Sequence, residues 1–153
     1  CIPQSMGRRS RVSDLNGIAS SAMSTPADIV SSYLDAFSRG DPDEIAGLVA
    51  AGFHNEHLSS IASSCIGIDE YRRRLPNFLA TFVDRSYAVL EVVEQGTESQ
   101  AQVVVRYDFT ALYEGMPIDI PGVMWFTVEN GLIAKRTDVW DSGIFVAQTA
   151  TTG

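Results

Sequence analysis

At 153 residues, with 45 % hydrophobic and 20 % charged content, the chain has the length and apolar fraction of one domain with its own core. A net charge of −8 carried with scattered arginines excludes the electrostatic footprint of a nucleic-acid binder. No apolar run approaches the ~18 residues of a membrane span, and two cysteines, Cys1 and Cys65, build no disulfide framework, so a cytoplasmic protein is expected.

Residues 1–24 hold Gly, Ser and the basic cluster Arg8, Arg9 and Arg11, with no sustained period. They are expected to be a flexible N-terminal extension, with Met23 a sensible native start, and residues 25–148 a single domain. The first helix opens at Thr25-Pro26, where a cap precedes a first-turn proline. Ile29, Val30, Tyr33, Leu34 and Phe37 recur at helical spacing, and Gly40 ends the run. A second helix follows from Asp41-Pro42, with Glu44 completing a capping box and Ile45, Leu48 and Val49 as its apolar face. Gly52 stops it, and Phe53–His57 is expected as a short strand with Phe53, Asn55 and His57 on one face. After a small-residue loop, Ile68–Val83 forms a third helix with Tyr71, Leu75, Phe78, Leu79 and Phe82 as its stripe. Arg72, Arg73 and Arg74 face outward, and Pro76 should loosen a turn.

From there the pattern changes to strands. Tyr87–Glu94 is followed by Gln100–Tyr113, Pro117–Glu129 and Leu132–Asp141, with tight turns at Glu114-Gly115 and Asn130-Gly131. Helix-helix-strand-helix followed by a meander is an α+β pattern: a curved antiparallel sheet wrapped around three N-terminal helices, with an internal apolar pocket. The strand Pro121–Val128 is apolar on both faces, which predicts a homodimer through the outer face of the sheet.

Two readings of Gln100–Tyr113 follow from its alternation. Either Val103, Val105, Tyr107 and Phe109 face the core and Arg106 with Asp108 is a solvated pair, or Arg106 and Asp108 enter the pocket. On the last strand Asp138 shares a face with Arg136 and Trp140, and a buried Asp138 would need Arg106 or Arg136 beside it. His54 and His57 fall on opposite strand faces and cannot share an ion, so neither a metal nor a cofactor is expected.

The stretch Tyr33-Leu-Asp-Ala-Phe-Ser-Arg-Gly-Asp41 and the later Val128-Glu-Asn-Gly-Leu-Ile-Ala-Lys-Arg-Thr-Asp138-Val-Trp-Asp141 resemble the nuclear transport factor two-like superfamily. More narrowly the chain is similar to SnoaL-like proteins, ketosteroid isomerases and limonene-epoxide hydrolases over about residues 25–145. The hydrolase resemblance rests on Arg106-Tyr107-Asp108 and Asp138-Val139-Trp140-Asp141. It implies Asp138 as the base acting on a water held by Asn55 or His57, Asp108 as the acid, and Arg106 orienting both. The SnoaL-type cyclases imply the same acid/base role for Asp138, although no His stands near Phe109, where they carry one. Ketosteroid isomerases imply Tyr33 as a hydrogen-bond donor and His57 in the place of their base. Their second oxyanion-hole acid falls at Gly122, which cannot act as one.

The reading taken is the pocket reading: a cofactor-independent acid/base enzyme for a small hydrophobic molecule, closest to epoxide hydrolysis. Its catalytic set is Asp138, Asp108 and Arg106, with Asn55, His57, Tyr33, Trp125 and Phe78 lining the site. An isomerase or polyketide-type cyclase using Asp138 or His57, and a non-catalytic binding or dimerisation domain, are the alternatives.

Overall fold

The computed structural model describes residues 24–150, so the expected extension lies outside the described residues apart from Ser24. The elements run α1 (Pro26–Arg39), α2 (Pro42–Ala46), β1 (Val49–Leu58), β2 (Cys65–Ile66), α3 (Ile68–Thr81), β3 (Phe82–Gly96), β4 (Gln100–Tyr113), β5 (Met116–Glu129), β6 (Leu132–Trp140) and α4 (Ser142–Thr149). The strands form one sheet in the order β2-β1-β6-β5-β4-β3. Every neighbouring pair is antiparallel except β1 with β6, which run parallel. The helices and sheet together make the expected α+β cone around an inner core.

Local chemistry accounts for most boundaries. Thr25 and Asp28 exchange side chain-to-backbone hydrogen bonds at the start of α1, and Gly40 closes it in the left-handed region at φ 75. Asp41 caps α2 through the Asp43 amide, whereas Glu44 turns to Arg39 instead of completing a box. That helix ends at Ala46, because Leu48 and Val49 leave it and β1 starts at Val49, ahead of the expected Phe53. Helix α3 stops at Thr81, and Phe82 and Val83 already belong to β3. The Arg85 guanidinium explains the sharp change of direction: it donates to the carbonyls of Phe37, Leu79 and Phe82 at 2.6, 3.0 and 2.7 Å, joining the ends of α1 and α3 to the sheet. Both hairpin turns have consecutive positive φ, 50 and 80 at Glu114-Gly115 and 49 and 81 at Asn130-Gly131, the twist that matches two-residue connections.

Helix α4 was not anticipated. Asp141 caps it by accepting from the Gly143 amide, but it has no fully buried residue and hence no periodic stripe to detect. The core lies between the inner sheet face and helices α1 and α3, with Phe37, Phe53, Met124 and Phe126 fully enclosed. The outer face carries Val93, Val123, Trp125 and Val139, all exposed.

Candidate functional site

The inner face of β6 supplies the central charges. Ile133 is buried, so strict alternation would bring Lys135 and Thr137 inward next. A bulge intervenes: Ile133 and Lys135 pair with the consecutive residues Val128 and Thr127 of β5, leaving Ala134 as the extra residue. The phase shifts by one, and Arg136 and Asp138 enter the core, each 4 % exposed. On the neighbouring β1 the parallel register sets Asn55 beside Arg136 and His57 beside Asp138. From β4, Tyr107 reaches across β5 because its partner there is Gly122, where an added Cβ would fall 2.5 Å from Tyr107 Cζ. The position of the isomerases' second acid is thus filled by a neighbour's phenol.

These side chains form one hydrogen-bonded chain. Tyr107 Oη donates to Asp138 Oδ1 at 2.6 Å, and Arg136 Nη2 donates to Asp138 Oδ2 at 2.9 Å. Arg136 Nη1 donates to Tyr33 Oη at 2.9 Å, and Tyr33 shares a short hydrogen bond with Tyr71. The Asp138 carboxyl group accepts from both sides, one oxygen from a phenol and the other from a guanidinium. Burial and the adjacent Asp138 charge hold the Tyr107 proton on far above the usual phenol range, and burial does the same for Tyr71 and Tyr87. For Arg136, burial opposes the charge, but Tyr33, Tyr87 and Asp138 outweigh it and the guanidinium stays charged.

His57 is the exception in this polar floor. Burial, reinforced by Arg136 and opposed by Asp138, lowers its pKa to about 4, so the ring is neutral near pH 7. Asn55 Nδ2 lies 3.4 Å from His57 Nε2, and donation there puts the ring proton on Nδ1, which faces Asp138 Oδ2 at 3.8 Å. The opposite tautomer would aim a bare lone pair at the carboxylate. Nδ1, Asn55 Oδ1 and Arg136 Nε are buried with no protein partner among the described residues.

Above this floor is a cavity of about 350 Å³. Its polar wall is His57, Tyr87, Tyr107, Arg136 and Asp138, and the remainder is apolar, mainly Phe78, Phe82, Phe109, Ile118, Ile120, Trp140 and Phe145. Phe145 of α4 closes one side, its ring centroid 5.0 Å from Tyr113 and 6.4 Å from Trp140. A second lobe of about 590 Å³, more open to solvent, shares His57, Ile61, Ala62, Phe78, Phe82 and Arg136 with the first and extends past Asn55 and Tyr71 to Ser63, Arg73, Arg74 and Asn77. The arrangement can hold a small, largely apolar molecule and move a proton at its buried end.

The sequence-derived residues divide cleanly. Asp138, His57, Asn55 and Phe78 line the cavity, and Tyr33 lies one hydrogen bond behind it on Arg136. Arg106 and Asp108 do not join them. Their strand alternates with Val105, Tyr107 and Phe109 inward, so Arg106 points out and pairs with Glu91 at 2.8 Å, side chains 60 % and 65 % exposed. Asp108 shares that outer phase, opposite Ala88 and Pro121. The Asp-Arg-Asp set therefore does not assemble, and Arg136 takes the place expected for Arg106. Trp125 is also on the outer face, 52 % exposed, with its indole nitrogen donating to Gln102. Tyr107 and Phe145 were missed. The alternation of Val103, Val105, Tyr107 and Phe109 was a sufficient signal for the first, and nothing comparable marks the second.

A cone-shaped α+β domain with an aromatic cavity over a buried Tyr-Asp-Arg floor defines the structural class. Within it the chain belongs to the SnoaL-like domain family, whose model matches residues 30–136. Among curated proteins none matches the sequence. Solved structures share the fold. A protein of ketosteroid isomerase-like fold from Catenulispora acidiphila, in complex with trimethylamine, aligns with TM-score 0.71 at 16 % identity over 82 % of this chain and 94 % of that one. An NTF2-like protein of unknown function from Burkholderia pseudomallei gives 0.69 at 20 % identity over 84 % and 100 %. A candidate polyketide cyclase from Pseudomonas putida gives 0.65 at 17 % identity over 83 % and 99 %. Among the described residues no helix is long and apolar enough to cross a membrane.

Proposed function

We propose that the protein catalyses proton transfer beside a carbonyl, as an isomerase or cyclase of a small hydrophobic ketone, without a cofactor. The observation that carries this is Asp138 at the buried end of an apolar cavity, held at 2.6 Å by Tyr107 and 2.9 Å by Arg136, with neutral His57 at 3.8 Å. Family membership and the likeness to candidate polyketide cyclases support the same class.

In this mechanism Asp138 takes the proton from the carbon next to the carbonyl, and the electron pair moves to the carbonyl oxygen as an enolate. His57 Nδ1–H donates to that oxygen as its charge develops, a role open to an imidazole that stays neutral. Arg136 holds one oxygen of Asp138 at 2.9 Å, and Tyr107 fixes the other at 2.6 Å, which sets the carboxylate's orientation. Asp138 then returns the proton to another carbon, giving isomerisation. Alternatively the enolate carbon attacks a second carbonyl, and the proton goes to the new alkoxide, giving ring closure. Epoxide hydrolysis by two carboxylates is less well supported, because the second carboxylate, Asp108, stands on the outer face.

The test is proton-deuterium exchange next to the carbonyl of aryl and cyclic ketones in D2O, followed by NMR. The wild-type protein should accelerate exchange, and Asp138→Asn should lose about 10²–10⁴-fold of that rate while still binding the ketone. An Asp138→Asn protein with the wild-type rate refutes the mechanism. Ketone binding without any exchange in the wild-type protein assigns the cavity to a non-catalytic binding domain.

A further inference from the structure

We infer that the ligand of this cavity is an amphipathic carboxylate, its apolar body in the aromatic lobe and its anionic end at Arg73 and Arg74 in the mouth of the second lobe. This rests on the cavity being a substrate site. Two observations carry it, the continuity of the lobes and the distribution of charge.

The lobes are continuous in their lining. His57, Phe78, Phe82 and Arg136 face both, so a molecule lying over Asp138 has its other end directed into the second lobe. The first lobe offers rings and aliphatic side chains, and the second offers Ser63, Asn77, Arg73 and Arg74. An apolar body with a polar end fits the pair better than a wholly apolar molecule does.

The charge balance identifies that end. Among the described residues, Arg39, Arg72, Arg106, Lys135 and Arg136 are each matched by a carboxylate of their own: Glu44, Asp43, Glu91, Glu56 and Asp138. Arg85 is taken up by three backbone carbonyls. Only Arg73 and Arg74 share a single carboxylate, that of Glu70. Arg74 is further committed to the loop, donating to Ser63 O, Ser63 Oγ and Ser64 O at 3.2, 3.1 and 3.3 Å. Among the described residues, Arg73 is held by Glu70 alone and keeps the rest of its guanidinium free at the mouth. In a chain of net charge −8, a local excess of positive charge beside a cavity selects for an anion. A guanidinium of this kind suits the planar, two-oxygen geometry of a carboxylate.

The experiment uses 4-oxo-4-phenylbutanoate and its methyl ester, which differ only at the charged end, and measures both affinities by titration calorimetry at low ionic strength. The acid should bind about fivefold tighter than the ester, and the advantage should shrink near ~0.5 M salt. In Arg73→Gln, an exposed substitution that leaves Arg74 on its loop, the acid's advantage over the ester should fall to less than about twofold. An ester that binds as tightly as the acid overturns the anionic subsite and leaves the substrate site itself intact. An acid preference that Arg73→Gln leaves unchanged also overturns it. Binding of neither compound overturns both.

Discussion

Arg136→Met isolates what the buried ion pair contributes. The guanidinium is 4 % exposed and donates at 2.9 Å to both Asp138 and Tyr33. Methionine replaces most of its volume but strands the Asp138 charge in the core with only the uncharged Tyr107 and His57 beside it. Breaking one side of a buried pair typically costs ~3–5 kcal/mol. In urea, with a slope of ~2 kcal/mol/M, the midpoint should fall by about 2 M, and thermal melting should drop by roughly 10 °C. Arg106→Ala is the internal control, because the exposed pair with Glu91 should contribute under ~1 kcal/mol. The double variant Arg136→Met/Asp138→Leu should lose less than Arg136→Met alone, since an apolar pair leaves no stranded charge. If Arg136→Met costs no more than Arg106→Ala, or the double variant is worse than the single one, Arg136 is not what compensates Asp138.

His57 gives a pH signature. Its pKa is about 4 in the folded protein, against ~6.5 unfolded. The unfolded chain therefore binds the proton first as pH falls, and stability should decline from about pH 6.5 down to about pH 4, by up to ~3 kcal/mol. His57→Gln should flatten that part of a denaturation-versus-pH curve, and an unchanged curve would show that the ring titrates in solvent. Gly122→Ala should push the Tyr107 ring away from Asp138, because the new Cβ would fall 2.5 Å from Cζ. A loss of exchange activity larger than the loss of stability is expected, and an unchanged variant would show that Tyr107 is not the positioning residue. The exposed apolar outer face, with Val123 and Trp125 at 37 % and 52 % exposure, is proposed to bury against a second copy. Sedimentation at micromolar concentration should give a homodimer that Trp125→Glu dissociates, and a wild-type monomer would end the idea.

The strands and their turns were legible because each is specified locally. Asn130-Gly131 and Glu114-Gly115 supply the two positive φ values that tight hairpins need, and β4 runs from Gln100 to Tyr113 as its alternation and the flanking turn residues indicate. Apart from Asp138, which the family resemblance marked, the strand residues of the site were legible where register did not matter. Asn55 and His57 share a strand face whatever lies opposite, and both reach the cavity. The faces of Arg106, Tyr107 and Asp108 depend on a phase that one residue inverts. There the periodicity of Val103, Val105 and Phe109 was a better guide than the resemblance to an Arg-x-Asp motif.

Other features had no local signal at all. The bulge at Ala134, which brings Arg136 and Asp138 inward, follows from how β6 pairs with β5 and not from its own residues. The Tyr107–Asp138 bond spans an entire strand and exists because Gly122 leaves the space. These two features are coupled. Without the bulge Asp138 would face outward, and with any side chain at residue 122 Tyr107 could not reach it. A glycine inside a strand normally weakens the sheet, and a bulge interrupts its ladder. Having both on adjacent strands, around the one carboxylate that is buried among the described residues, ties the irregularity of the sheet to the site and not to the stability of the fold.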